Sequence, residues 1–302
     1  MTATDRYRGC LLGLAAGDAV GTTVEFKPRG SFPPVTDMTG GGPFHLPAGA
    51  WTDDTSMALC LAASLGERGR FDAGDQMARY LRWHDDGYLS STGRCFDIGN
   101  ATRAALDRYR RSRDPFAGSP DRHSAGNGCL MRLAAVPIFA HARGDRAGLP
   151  QLARDSARTT HAAAECLEAT ELLAEMLYTA LSGASKPDTL AAASPDRFAA
   201  PKVRALAAGD YVGKPESAIR GSGYVIDCLE AAAWCFARAT DFREAVLLAA
   251  NLGDDADTTA AVAGQLAGAF YGEPGIPPDW LAKLVLRDEI VAMAEGLEAR
   301  SC

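Results

Sequence analysis

An all-α fold in a single compact multi-helix domain over residues 1–302 is the class this sequence predicts. Ala and Leu dominate the segments whose apolar residues recur at helical spacing. Extended runs of alternating β-branched residues, the mark of strands, are missing. A chain of 302 residues with 47% hydrophobic and 23% charged residues can bury a substantial core. No stretch is polar or long enough to be a clear domain linker, and no internal repeat is apparent.

The elements follow in order. From Tyr7 to Ala19, Cys10, Leu11, Leu14 and Ala15 share one face. After Trp51-Thr52-Asp53-Asp54-Thr55, a second segment places Met57, Cys60, Leu61 and Leu65 together. Further helical patterns cover 73–86, 96–110, 129–143, 150–158, 162–182, 222–237, 241–250 and 279–299. After Gly253-Asp254-Asp255-Ala256-Asp257-Thr258, Val262, Leu266 and Phe270 form an apolar stripe at steps of four. Gly264 and Gly268 lie on another face, where a neighbouring helix could approach closely. Residues 27–50 are rich in Pro and Gly and read as a long loop, either a lid or a surface wrap. Segments 112–128 and 184–202 are also loop-like.

Composition excludes several classes. A net charge of −7 and a pI near 5.3 argue against nucleic-acid binding. The basic run Arg108-Tyr109-Arg110-Arg111-Ser112-Arg113 reads as a solvated helix end. The eight cysteines are scattered, without a CxxC pair, and fit buried free thiols in a reducing cytosol. No apolar stretch approaches the roughly 20 residues needed to span a bilayer, and the first residues reach no signal-peptide core. A cytoplasmic monomer without membrane attachment is expected.

The two acidic clusters carry the chemistry. Each precedes a helical run, so its oxygens would point into a shared space, and crowded carboxylates repel unless a cation sits among them. Thr interleaved with Asp, without His or Cys, indicates hard oxygen ligation by Mg²⁺ or Mn²⁺ rather than zinc. Helix capping would explain one such cluster. Two clusters, each with more acids than a cap uses, favour the metal. The Asp-Asp-x-x-Asp spacing of isoprenoid synthases fails, because its last position holds Met57 after the first pair and Thr258 after the second.

The chain resembles the ADP-ribosylglycohydrolase family. The resemblance rests on an ordered set: Gly13-Leu14-Ala15-Ala16-Gly17-Asp18-Ala19-Val20-Gly21, Val24-Glu25-Phe26, Trp51-Thr52-Asp53-Asp54-Thr55 and Phe96-Asp97-Ile98-Gly99-Asn100. It continues through Ala125-Gly126-Asn127-Gly128, Met131-Arg132, Thr160-His161, Gly223-Tyr224-Val225 and Asp255-Ala256-Asp257-Thr258. Asp254 departs from it, standing where the family more often has a second Gly.

The resemblance implies a dozen or so helices around a dinuclear Mg²⁺ or Mn²⁺ centre. The ligands would be Thr52, Asp53 and Asp54 with Asp255, Asp257 and Thr258. Glu25 and Asp97 would be the catalytic carboxylates. The Gly126-Asn127-Gly128 and Gly221-Ser222-Gly223 loops could present amides to a pyrophosphate; Asn127, Gly128, Ser222 and Gly223 are the residues expected to bind substrate there. Tyr224 would offer an aromatic face to adenine, and His161 would contact substrate or cap a helix. The implied activity removes ADP-ribose from a modified protein, with arginine as the first expectation. Serine-linked ADP-ribose, O-acetyl-ADP-ribose and a catalytically silent ADP-ribose-binding or crystallin-like structural member are the alternatives.

Overall fold

Residues 1–298 are described by a computed structural model. The helices in chain order begin with α1 (Ala3–Gly21), α2 (Asp53–Arg68), α3 (Ala73–Asp86), α4 (Asn100–Ser112) and α5 (Ala135–Ala142). Then come α6 (Leu149–Arg158), α7 (Ala164–Leu181), α8 (Lys186–Leu190), α9 (Pro201–Ala207) and α10 (Val225–Arg238). The last are α11 (Phe242–Ala250), α12 (Ala256–Tyr271), α13 (Pro278–Lys283) and α14 (Arg287–Glu298). Among the described residues there is no strand, only isolated bridges such as Gly126 to Tyr224. The all-α expectation holds.

The centre is an antiparallel pair, α1 against α12. Gly9, Gly13, Gly17 and Gly21 recur every fourth residue and leave one strip of α1 without side chains. That strip meets Gly268, Gly264, Ala260 and Ala256 in turn. A Cβ added at Gly13 would lie 2.3 Å from the Gly264 carbonyl oxygen, and one at Gly17 would lie 2.1 Å from that of Ala260. The two backbones therefore touch, and both helices are buried nearly all round over the paired length. A capping box between Thr2 and Asp5 opens α1. Around this pair pack α2, α7, α10, α11 and α14. A smaller apolar cluster, including Met57, Met77, Tyr80, Trp83 and Leu106, lies under α2, α3 and α4.

Several boundaries differ from expectation. The 96–110 helix starts at Asn100, because Asp97 takes φ +59 and Gly99 is the N-cap. The 129–143 helix starts at Ala135, with Pro137 in its first turn, where a missing N–H costs least. The 279–299 pattern is two helices, parted at Leu284–Leu286, where Leu286 has φ +54. Its last residue, 299, and Cys302 lie outside the described residues. Segment 184–202 contains α8, capped by Ser185, and a short turn at Pro195–Arg197. That segment is tied down by buried Glu171 and Glu175, both paired with Arg197.

Residues 33–39 of the long loop are a surface wrap. Asn251 bonds both the N–H and the carbonyl of Val35, and the indole of Trp280 donates to Asp37 at 2.6 Å. The described cysteines are all free thiols. No described helix is long and apolar enough to cross a membrane.

Gly17→Ala should therefore destabilise the fold by about 1–3 kcal/mol or more, because only backbone could yield. Gly66, also helical, has nothing within 4 Å of its absent Cβ. Gly66→Ala should be neutral or stabilising by up to about 1 kcal/mol. Equilibrium denaturation of both variants checks the contrast; equal stabilities would contradict the backbone contact.

Candidate functional site

The α1–α12 register sets the last turn of α1 beside the first turn of α12, and α2 starts at the same point. The two acidic clusters thereby join. Thr258 Oγ1 donates to Asp54 Oδ1 at 3.3 Å, and Thr52 Oγ1 lies 3.4 Å from Asp257 Oδ2. These contacts bridge 204 and 205 residues of sequence. Capping does not account for the acids, since neither Thr52 nor Asp255, the two N-cap residues, makes a side-chain cap bond.

The cap of α2 comes instead from α1. Asp18 is fully buried and accepts from the Thr52 N–H at 2.9 Å, the Thr55 N–H at 3.1 Å and the Thr55 hydroxyl at 2.6 Å. Burial outweighs these bonds and pushes its carboxyl up to about 6. Sequence reasoning assigned Asp18 no role. The available signal was an acid within an otherwise small and apolar helical run.

Glu25 follows a short turn after α1 and is 3% exposed, although a glutamate just past a helix end is ordinarily solvated. Asp97 is held at φ +59 and does not cap α4. Glu25, Asp97 and Asp257 each place an oxygen within 4.8 Å of the others. All three line a cavity of about 750 Å³ together with Asp53, Asp54, Asp255 and Thr258. Thr52 lies behind them, bonded to Asp18.

Among the described residues no Lys or Arg lines this cavity. Burial, then the charges of Asp97 and Asp255, push Glu25 up to about 9. Burial first, with Asp18 and Asp255 after it, brings Asp97 to about 7. Asp53, Asp54 and Asp257 are also raised well above the carboxylate range, first by burial and then by neighbouring carboxylates, with Asp97 foremost for Asp53, Asp18 for Asp54 and Glu25 for Asp257. Asp54 Oδ2 is buried without a hydrogen-bond partner. A set of hard oxygen donors, mutually repelling and with one atom unpartnered, fits a divalent cation of the Mg²⁺ type.

The expected substrate residues fall around two adjoining cavities. Asn127 N–H donates to the Gly223 carbonyl at 3.1 Å and Val225 N–H to that of Ala125 at 3.0 Å, so the two glycine loops are tied together. The Asn127 amide donates to Asp255 Oδ2 at 2.7 Å. Asn127, Gly128, Ser222, Gly223 and His161 line the acidic cavity. His161 caps nothing, since Ala163 is the N-cap of α7. Its ring packs under the glycine loop, where a Cβ on Gly128 would lie 2.7 Å from it, and burial pushes its pKa down to about 3. The Ser222 hydroxyl is engaged with Asp227 at 2.8 Å.

Tyr224 lies outside the acidic cavity. It lines a second cavity of about 680 Å³ that shares Gly126 and Gly223 with the first and includes Arg122, His123 and Lys202. Its hydroxyl donates to Glu165 at 2.6 Å, and Lys202 lies over its ring. Asp254, the departure from the family pattern, has φ +57, a conformation that glycine adopts freely and Asp tolerates.

The chain belongs to the ADP-ribosylglycohydrolase family, whose profile matches residues 1–302. It is 48% identical over 299 residues to ADP-ribosylarginine hydrolase Tri1 of Pseudomonas putida (strain GB-1), covering 99% of this chain and 79% of that protein. It is 33% identical over 293 residues to the ADP-ribosyl-[dinitrogen reductase] glycohydrolase of Rhodospirillum rubrum, covering 94% and 92%. A solved structure of an ADP-ribosylglycohydrolase-related protein complex matches 99% of both chains at 49% identity, with a TM-score of 0.87.

Carboxyls raised in the folded state keep protons that the unfolded chain has released. Their contribution is full at low pH and is lost as pH rises through the folded values. For Glu25 that window runs from 4.5 to about 9. In chelator, the melting temperature should fall as pH rises across this window, and Mg²⁺ or Mn²⁺ should offset the fall. A series of thermal melts with and without cation checks both; a metal-free protein that gains stability over that range would contradict the site's electrostatics.

Proposed function

We propose that this protein is a divalent-cation-dependent hydrolase that frees ADP-ribose from arginine side chains of modified proteins. The observation that carries the reading is the joining of the two acidic clusters with Glu25 and Asp97 in one cavity that no described Lys or Arg lines. Its relatives' names support the arginine linkage.

In this reading Thr52, Asp53, Asp54, Asp255, Asp257 and Thr258 hold two Mg²⁺ or Mn²⁺ ions. Bound there, the cations supply grip on the ribose hydroxyls and stabilisation of developing charge. Glu25 and Asp97 handle the protons. One carboxyl orients and deprotonates the attacking water and the other assists departure of the guanidine nitrogen from C1″, the division of labour that glycoside cleavage requires. Their burial suits them to this work near neutral pH, because it lifts both above ordinary carboxylates. Asn127 holds Asp255 in place, and Asp18 positions the first turn of α2. The glycine-loop amides with Arg122 and Lys202 suit the diphosphate, and Tyr224 suits adenine. A reducing, cytoplasmic setting fits the free and mostly buried thiols.

The assay is release of free ADP-ribose from mono-ADP-ribosylated arginine with Mg²⁺ or Mn²⁺ and then with EDTA. Release should stop with chelator and return with metal. Asp54→Ala and Asp255→Ala should each lower kcat/KM by more than the roughly 10- to 100-fold seen for outer-shell groups, with the helical circular dichroism intact. Turnover only from serine-linked or O-acetyl substrates would overturn the linkage. Calorimetry of Tyr224→Ala should show ADP-ribose binding weakened by about 1–3 kcal/mol; unchanged affinity would remove adenine from that cavity.

A further inference from the structure

Phe26 lines the acidic cavity next to Glu25, yet it is 65% exposed. Its backbone sits at φ +63, in the left-handed region that disfavours a bulky side chain. Two backbone bonds hold it there. Phe26 N–H donates to the Asp254 carbonyl at 2.7 Å, and Asp254 N–H donates to that of Lys27 at 2.8 Å. Phe26 meets the ring of Phe44 edge-on at 6.3 Å, and Phe44 meets Phe96 at 5.2 Å. Phe26 follows Glu25 and Phe96 precedes Asp97, so the outer two rings of the trio are the chain neighbours of the two proposed catalytic acids. A strained backbone that keeps an aromatic ring in water gains nothing within the isolated fold. The compensation comes when something covers the ring.

We infer that Phe26, backed by Phe44 and Phe96, is the platform on which the departing guanidinium of the substrate arginine lies. Through that contact it favours arginine-linked over hydroxyl-linked ADP-ribose. The inference rests on the hydrolase reading above. The leaving group of an arginine linkage is planar and stays cationic at working pH, since guanidinium does not titrate in proteins. A cation over an aromatic face is attracted by the ring quadrupole, and the Asp254 carboxylate lining the same cavity adds charge of the complementary sign. Arg122 and Lys202 line the other cavity, which does not include Phe26. That cavity suits the anionic part of the substrate and leaves the aromatic rim to the cationic part. A serine or acetyl leaving group has neither charge nor a wide flat face and gains nothing from the ring.

The test is steady-state hydrolysis of free ADP-ribosyl-arginine by the wild type and by Phe26→Ala, Phe26→Leu and Phe26→Tyr, with melting temperatures and ADP-ribose calorimetry on each. Phe26→Ala should lower kcat/KM by about 3- to 30-fold. Phe26→Leu, apolar but without a π face, should resemble Phe26→Ala, and Phe26→Tyr should recover most of the loss. Affinity for ADP-ribose, which lacks the leaving group, should stay within about twofold in all three. Full activity in Phe26→Ala or Phe26→Leu would overturn the inference, as would a parallel loss of ADP-ribose binding. A wild type inert towards ADP-ribosyl-arginine would sink the hydrolase reading and this inference together, whereas an active wild type with indifferent variants sinks only the platform.

Discussion

The contact between the glycine strip of α1 and the small residues of α12 is the constraint on which the rest of the structure depends. Side chains normally set the distance between packed helices at 8–10 Å. Here glycine lets carbonyl oxygens of one helix occupy the space where the Cβ atoms of the other would be. Contact on this scale locks rotation and register together. Gly21 then faces Ala256, and whatever lies just beyond each end is brought to one place. Glu25 follows one end, and Asp255 and Asp257 flank the other.

Asp18 extends the same constraint to a third helix. It projects from α1 one residue past Gly17 and takes up the first amides of α2, so the pair Asp53 and Asp54 is aligned by a group on the central helix. The acidic centre is thus assembled from three helix ends with one common reference, α1. Only the Asp97 segment and the two glycine loops approach from elsewhere, and the Asn127 amide ties those loops to Asp255. The electrostatic strain of so many buried carboxylates is borne by a frame whose backbone contacts leave it little room to relax. This is the preorganisation that a cation site needs.

Much of this was legible in the chain itself. Asp-Asp and Asp-x-Asp-Thr directly before apolar helical runs marked both halves of the centre, and Gly264 with Gly268 marked one side of the central contact. The matching strip on α1 escaped notice because its glycines lie among apolar residues that suggest an ordinary core face. Asp18 escaped because an acid in a helix is usually a solvated one, and only tertiary structure shows it buried. Helices α8 and α9 were hidden by Pro187 and Pro201, which read as loop punctuation but stand at helix N-termini. Tyr224, expected beside the other substrate residues, lines the adjoining cavity instead of the acidic one, a distinction that no spacing encodes.

The central contact also has a consequence in time. The strip on α1 is made long before its partner strip, which begins at residue 256. At synthesis rates of about 5–20 residues per second, α1 waits roughly 10–50 s for the helix that covers it. For that interval its apolar, side-chain-poor surface is exposed and the acidic centre does not exist. The native core is therefore completed only after α12 has been made, so the central pair forms late relative to the helices between its two members.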